Sequence, residues 1–186
     1  METYLIRHTC IDVPTGICYG QSDLPLADSF ERDWEEVRKK IPRRLDAVYS
    51  SPLARCKNLA QFLFQGQPIC DPRLLEMNFG DWEMRPWEDI GQKRIDGWAG
   101  DYVYQRIPNG ESFFDLTERV KEFMDEISET AADAVAVVAH AGVIRSILAC
   151  VAGQPLKSIF NIPVDYGAVS LVDISKGVKT IRYINA

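Results

Sequence analysis

Histidine is almost missing from this chain: only His8 and His140 occur in 186 residues. Several other features are missing as well, and each omission excludes a class of protein. The longest apolar stretch, Ala134 to Ile144, is interrupted by His140. It falls well short of the roughly 20 residues that a membrane-spanning helix needs. Cations are not in excess; the net charge of −6 leaves no basic face for a nucleic-acid backbone. Neither a membrane nor a nucleic acid is therefore expected as a partner. The five cysteines, Cys10, Cys18, Cys56, Cys70 and Cys150, form an odd set without CxxC or zinc-type spacing. They read as reduced thiols, which points to the cytoplasm. A secretory signal is not expected, because Thr3 to Ile6 already reads as a core strand. Repeats, low-complexity tracts and long linkers are absent, and the length suits one domain over residues 1–186.

The patterning that is present alternates strands with helices. Strands are expected at Thr3–Ile6, Leu45–Tyr49, Gln67–Cys70, Val135–Ala139, Ala168–Ile174 and Val178–Ile184. Helices are expected at Ser29–Lys40, Leu53–Phe64, Pro86–Trp98, Phe113–Thr130 and Val143–Val151, the second opened by Ser51-Pro52 as cap and first-turn proline. This order predicts an α/β fold of three layers: a largely parallel sheet with helices on both faces. Ser175-Lys176-Gly177 signals an antiparallel hairpin at one edge. Residues 81–112 break the alternation and hold Trp82, Trp87, Trp98, Tyr102 and Tyr104. They read either as a helical excursion packing its own aromatics or as a lid whose rings stack on a flat ligand.

Both histidines follow an apolar run and precede a turn or helix start, where parallel α/β sheets present reactive side chains. A lone histidine after a strand is often just a satisfied buried group, but His8 directly follows Arg7. A neighbouring guanidinium disfavours the protonated imidazole, which keeps it neutral and nucleophilic. Guanidinium forks also match phosphate oxygens. Arg55 lies in the first turns of the second helix, and Glu76 ends an apolar segment, suited to protonating a leaving oxygen. His140-Ala141-Gly142 joins a buried strand to a helix N-terminus, which favours anions.

In their order, Arg7-His8-Thr9, Ser50-Ser51-Pro52-Leu53-Ala54-Arg55, Glu76 and His140-Ala141-Gly142-Val143-Ile144-Arg145 resemble the histidine phosphatase superfamily, which includes cofactor-dependent phosphoglycerate mutase. The resemblance covers nearly the whole chain. It implies that His8 is the phosphorylated nucleophile and Glu76 the proton donor. It implies too that Arg7, Arg55 and a protonated His140 hold the phosphoryl group. Contacts to substrate would come from Arg7, Thr9, Tyr19, Gly20, Arg55, Ala141 and, through ring stacking, Trp82. The opening motif departs from the family's usual Arg-His-Gly-Glu-Thr, reading Arg7-His8-Thr9-Cys10-Ile11, and Ala141 replaces a common glycine. Within the superfamily, Cys18–Leu26, Glu76–Arg85, Ile107–Ser112 and Val164–Gly167 resemble the α-ribazole phosphatases of cobalamin assembly. That resemblance implies a small phosphorylated substrate with a flat base.

Other phosphatase chemistries leave no mark. No cysteine has an arginine six positions later, and neither a DxDx[TV] motif nor a GxxxxGK[ST] loop occurs. A mutase is one alternative, but only 63 residues separate Glu76 from His140, shorter than mutases of this family carry. A broad-specificity phosphatase is another, and a non-catalytic binding module a third; the module usually lacks one of the five catalytic groups present here. Cys10 and Cys18, in the loop after the first strand, read as small packing residues or as a redox switch. No carboxylate–histidine cluster has ligand spacing, so neither a metal nor another cofactor is expected. Hydrolysis of p-nitrophenyl phosphate should accordingly survive excess EDTA and be inhibited by vanadate, which adopts a five-coordinate geometry resembling the transition state. Strict dependence on added magnesium or zinc, measured by the same assay, would contradict that expectation.

Overall fold

Every residue of Ala134–Ala139 is apolar, as a strand buried on both faces must be, and this strand lies inside the sheet. The computed structural model describes residues 1–42, 44–175 and 178–186. In chain order the elements are β1 (Glu2–Arg7), α1 (Phe30–Arg38), β2 (Ala47–Ser50), α2 (Ala54–Phe64), β3 (Ile69–Cys70), α3 (Trp87–Ile90), α4 (Gln92–Gly100), α5 (Phe113–Ser128), β4 (Ala134–Ala139), α6 (Ala141–Ala152), β5 (Val169–Ser175) and β6 (Val178–Tyr183). They form one six-stranded sheet in the order β3-β2-β4-β1-β5-β6. The first four of these run parallel, while β5 is antiparallel to both β1 and β6. The fold is α/β with a largely parallel sheet and an antiparallel edge, as the sequence pattern predicts. Lys176 and Gly177 of the hairpin signal lie outside the described residues.

Alternation along the strands divides the core in two. Val135, Val137 and Ala139 of β4 join Leu5 of β1 in packing against α5 and α6. Their neighbours Ala136 and Val138 join Ile6 in packing against Trp34 and Val37 of α1 and Cys56, Leu59 and Ala60 of α2. The sheet is thus the middle of three layers. The apolar stripe of α5 is buried from Phe113 to Ile127. Ser112 and Asp115 close that helix with a capping box, which satisfies its first free N–H groups.

Three predicted elements differ in detail. The helix expected over Pro86–Trp98 is two, because Gly91 has φ +91° and interrupts the ladder between α3 and α4. The Ser51-Pro52 start does not cap α2. The Asp23 carboxylate accepts the Ala54 N–H at 3.1 Å instead, while the Ser51 hydroxyl accepts the Leu53 N–H at 3.4 Å and meets His140 at 2.8 Å. The helix expected from Val143 begins two residues earlier at Ala141, with His140 as its N-cap. Among the described residues, no helix is long and apolar enough to cross a membrane.

Candidate active site

Strand register builds the site. Arg7 of β1 pairs with Ala139 of β4, and the His8 N–H donates to the Ala139 carbonyl at 3.0 Å. The residues that follow the two strands, His8 and His140, therefore leave the sheet side by side, their ring centroids 5.1 Å apart. Next to them β2 ends at Ser50, and the Ser51 hydroxyl lies 2.8 Å from His140 Nε2.

His8 Nδ1 is 2.8 Å from the Thr9 carbonyl oxygen. A carbonyl can only accept, so Nδ1 carries the proton and Nε2 keeps its lone pair. Burial, reinforced by Arg55 and Arg7, holds this imidazole well below the usual histidine pKa. His8 is neutral at pH 7, with one ring nitrogen fixed as a donor and the other free.

Two guanidinium groups flank it. Arg7 donates to the Val164 carbonyl and lies 3.7 Å from the ring centre of Tyr166. Arg55, 1% exposed, donates to the carbonyls of Gly20 and Ser22. Among the described residues neither arginine has a carboxylate partner, and the Nε of each is buried without a hydrogen bond. Cations buried in this way favour an anionic ligand.

Glu76 faces them. Its carboxylate accepts the Met77 N–H on Oε1 and the Gly142 N–H, in the first turn of α6, on Oε2. Glycine leaves room for this carboxylate, because a Cβ at position 142 would push Glu76 Oε1 from its place. A cavity of about 150 Å³ joins these groups, lined by Arg7, His8, Arg55 and Glu76 and by an apolar wall that includes Phe79, Trp98, Phe113 and Phe160. Tyr19 closes another side, its hydroxyl 2.5 Å from that of Tyr166. A neutral imidazole with a free lone pair, a cationic cradle and a backbone-held carboxylate suit phosphoryl transfer.

A family model of the histidine phosphatase superfamily, branch 1, matches residues 3–186. The chain belongs to the histidine phosphatase superfamily. It is a phosphoric monoester hydrolase. The adenosylcobalamin/α-ribazole phosphatase of Escherichia coli strain K12 is 32% identical, the alignment covering 100% of this chain and 96% of that one. A putative phosphoserine phosphatase 2 of Hydrogenobacter thermophilus is 26% identical over 98% of this chain and 94% of the relative. The crystal structure of an α-ribazole phosphatase from Shigella flexneri superposes with a TM-score of 0.91 at 29% identity, covering 100% of this chain and 96% of the other.

Arg7, His8, Tyr19, Arg55, Glu76 and Ala141 all line the cavity. The other expected site residues, Thr9, Gly20, Trp82 and His140, lie outside that lining. Trp82 is 3% exposed and packs edge-on against Trp87 and Trp98, outside the cavity lining. Of the tryptophans in residues 81–112, Trp98 takes the place at the wall. Thr9 also lies behind the site; its hydroxyl accepts the Trp34 indole N–H and its carbonyl fixes His8. His140 is fully buried with its Nε2 at the Ser51 hydroxyl, and in the free site burial and then His8, Arg55 and Arg7 hold its pKa well below the usual value. Gly20 contributes through its carbonyl, held against Arg55.

Sequence reasoning also missed two residues. Arg145 lies one helical turn after Ala141, so the i,i+4 spacing puts both on one face of α6, and both line the cavity. Tyr166 follows Val164-Asp165, and only tertiary folding brings it within 5.5 Å of the His8 ring. Cys18 is buried with its thiol pushed up to about 12, chiefly by burial and next by Glu83, which leaves it an unreactive packing residue at neutral pH. Cys10 is only half-buried.

Both histidines have depressed pKa values in the fold, so below pH 6.5 the unfolded chain binds more protons than the native one. Stability should fall as pH drops through about 6.5, with a slope that rises toward about 1.4 kcal/mol per pH unit for each histidine as the unfolded imidazole becomes fully protonated. Urea unfolding between about pH 6.5 and 5.5 measures this, and His8→Asn should remove half of the slope. A flat profile would contradict neutral burial.

Proposed function

We propose that the protein hydrolyses phosphomonoesters by two in-line displacements through a phosphohistidine, with no metal ion. The observation that carries this reading is the fixed tautomer of His8, whose free Nε2 sits beside two arginines that lack carboxylate partners. In the first step the Nε2 lone pair forms a bond to phosphorus while the ester P–O bond breaks, and Glu76 gives its proton to the departing oxygen. In the second, Glu76 takes a proton from water as the water oxygen attacks phosphorus. The P–N bond then breaks, and its electron pair returns to Nε2. Arg7 and Arg55 balance charge on the equatorial oxygens. His140, neutral in the free site, joins them as a cation once the phosphoryl dianion favours its charged form.

We further propose α-ribazole 5′-phosphate or adenosylcobalamin 5′-phosphate as the substrate, in cytoplasmic assembly of the cobalamin nucleotide loop. The named activity of the Escherichia coli and Shigella flexneri proteins supports this. So does the aromatic wall of Phe79, Trp98, Phe113 and Phe160, which offers stacking surface beside the phosphate cradle. Residues 1–186 act as one domain in this reading, and the excursion over 81–112 serves as the lid that brings Trp98 to the pocket.

A substrate panel tests the assignment. The value of kcat/KM should be highest for α-ribazole 5′-phosphate among that ester, ribose 5-phosphate, phosphoserine and 3-phosphoglycerate. Stacking on one ring contributes about 1–3 kcal/mol, so Trp98→Ala should raise KM for the α-ribazole ester on the order of tenfold. The KM for ribose 5-phosphate, which has no flat base, should not change. If 3-phosphoglycerate or a simple sugar phosphate is the best substrate, the assignment fails and a mutase or generalist phosphatase takes its place.

A further inference from the structure

Glu83 lies outside the cavity lining, yet more donors converge on it than on Glu76. Its Oε2 accepts the Gly20 N–H at 3.0 Å, the Ser22 N–H at 3.2 Å and the Ser22 hydroxyl at 2.6 Å. Its Oε1 accepts the Gln21 N–H at 2.9 Å and the Phe79 N–H at 3.1 Å. Burial raises the pKa of this carboxyl, but the bonds from Ser22, Gln21, Gly20 and Phe79 outweigh it and leave the pKa lowered. Glu83 is therefore an anion at neutral pH.

What those donors do on their other side is the informative part. In a trans peptide the N–H and the C=O point in opposite directions, and none of the described peptide bonds is cis. The Gly20–Gln21 peptide gives its N–H to Glu83 and its carbonyl to Arg55. The Ser22 carbonyl takes the second Arg55 nitrogen at 2.7 Å. Donation of an N–H to a carboxylate polarises the peptide and makes its carbonyl a better acceptor for a cation. The same loop reaches the base of α2 through Asp23 and the Glu76 backbone through the Gln21 amide. A Cβ at Gly20 would collide with the Met77 carbonyl, so the loop has no slack at this point.

We infer that Glu83 is a positioning residue for the phosphate cradle, holding Arg55 in place through the backbone of Gly20–Ser22 without touching the substrate. The inference rests on the reading that Arg55 binds the phosphoryl group. Its effect is directional. Without the anion behind it, the loop loses its fixed orientation, and the Arg55 fork loses the two carbonyls that aim it.

A double-mutant cycle between Glu83→Gln and Arg55→Ala tests the inference, with thermal melting to show that each variant is folded. Two quantities are read: calorimetric affinity for inorganic phosphate, and kcat/KM for p-nitrophenyl phosphate, whose good leaving group keeps weak variants measurable. Misplacing a cradle residue by about 1 Å costs on the order of a hundredfold, so Glu83→Gln alone should lose roughly tenfold to a hundredfold. In the Arg55→Ala background the same substitution should cost nothing further. Ser22→Ala removes one donor to Glu83 and should show a smaller loss with the same dependence on Arg55; it serves alone if Glu83→Gln unfolds. Losses that multiply in the Arg55→Ala background, or a folded Glu83→Gln with full affinity and activity, would overturn the inference. Phosphate binding needs no turnover. A protein that binds phosphate with this non-additivity but hydrolyses no ester would refute the phosphatase mechanism and leave the role of Glu83 standing.

Discussion

Enclosing the Arg55 guanidinium with no carboxylate to neutralise it costs on the order of several kcal/mol, and much of the surrounding structure answers to that cost. The side chain is 1% exposed and is held by two backbone carbonyls. Those carbonyls lie in a loop whose Gly20, Gln21 and Ser22 N–H groups turn toward Glu83. One anion thus acts on Arg55 from a distance, through the Gly20–Gln21 peptide, and leaves the guanidinium without a carboxylate bonded to it. A carboxylate bonded directly to Arg55 would have filled the place that the proposed phosphoryl group needs. Arg7 follows a similar logic, held by the Val164 carbonyl and the face of Tyr166 rather than by an acid.

The same field governs the histidines. Burial beside these cations keeps His8 neutral, and the Thr9 carbonyl decides which nitrogen bears the proton. A charged imidazole would have no lone pair to offer. Glu76 is kept apart from this arrangement by its own anchors, the N–H groups of Met77 and Gly142. Its main-chain carbonyl is fixed by Arg119, which also binds Glu111. His8, the two arginines and Glu76 are each held by main-chain groups, so the site is organised before any ligand arrives.

The core of the site was legible in the sequence because each catalytic candidate follows or borders an apolar segment with a clear period. His8 and His140 follow strands whose parallel, in-register pairing brings them together. Composition cannot tell which aromatics turn inward within a short irregular segment. Trp82, Trp87 and Trp98 all fall in one stretch, but Trp82 ends a separate 3-10 turn and Gly91 splits the helices that carry Trp87 and Trp98, so Trp98 meets the cavity while Trp82 is buried behind it. Tyr166 was out of reach for a different reason, since its position over Arg7 depends on contacts between the two ends of the chain. Glu83 sits in a recognisable motif, but its partners are backbone amides, which no side-chain pattern records.

Trapping the phosphoenzyme tests the central claim most directly. Enzyme quenched during turnover and digested under mildly alkaline conditions should carry a single acid-labile phosphoryl group on the peptide that contains His8. Glu76→Gln should bear the same label on that peptide, and His8→Ala should carry none and turn over no ester while remaining folded. A phosphoryl group found on another residue, or substantial turnover by His8→Ala, would contradict the account.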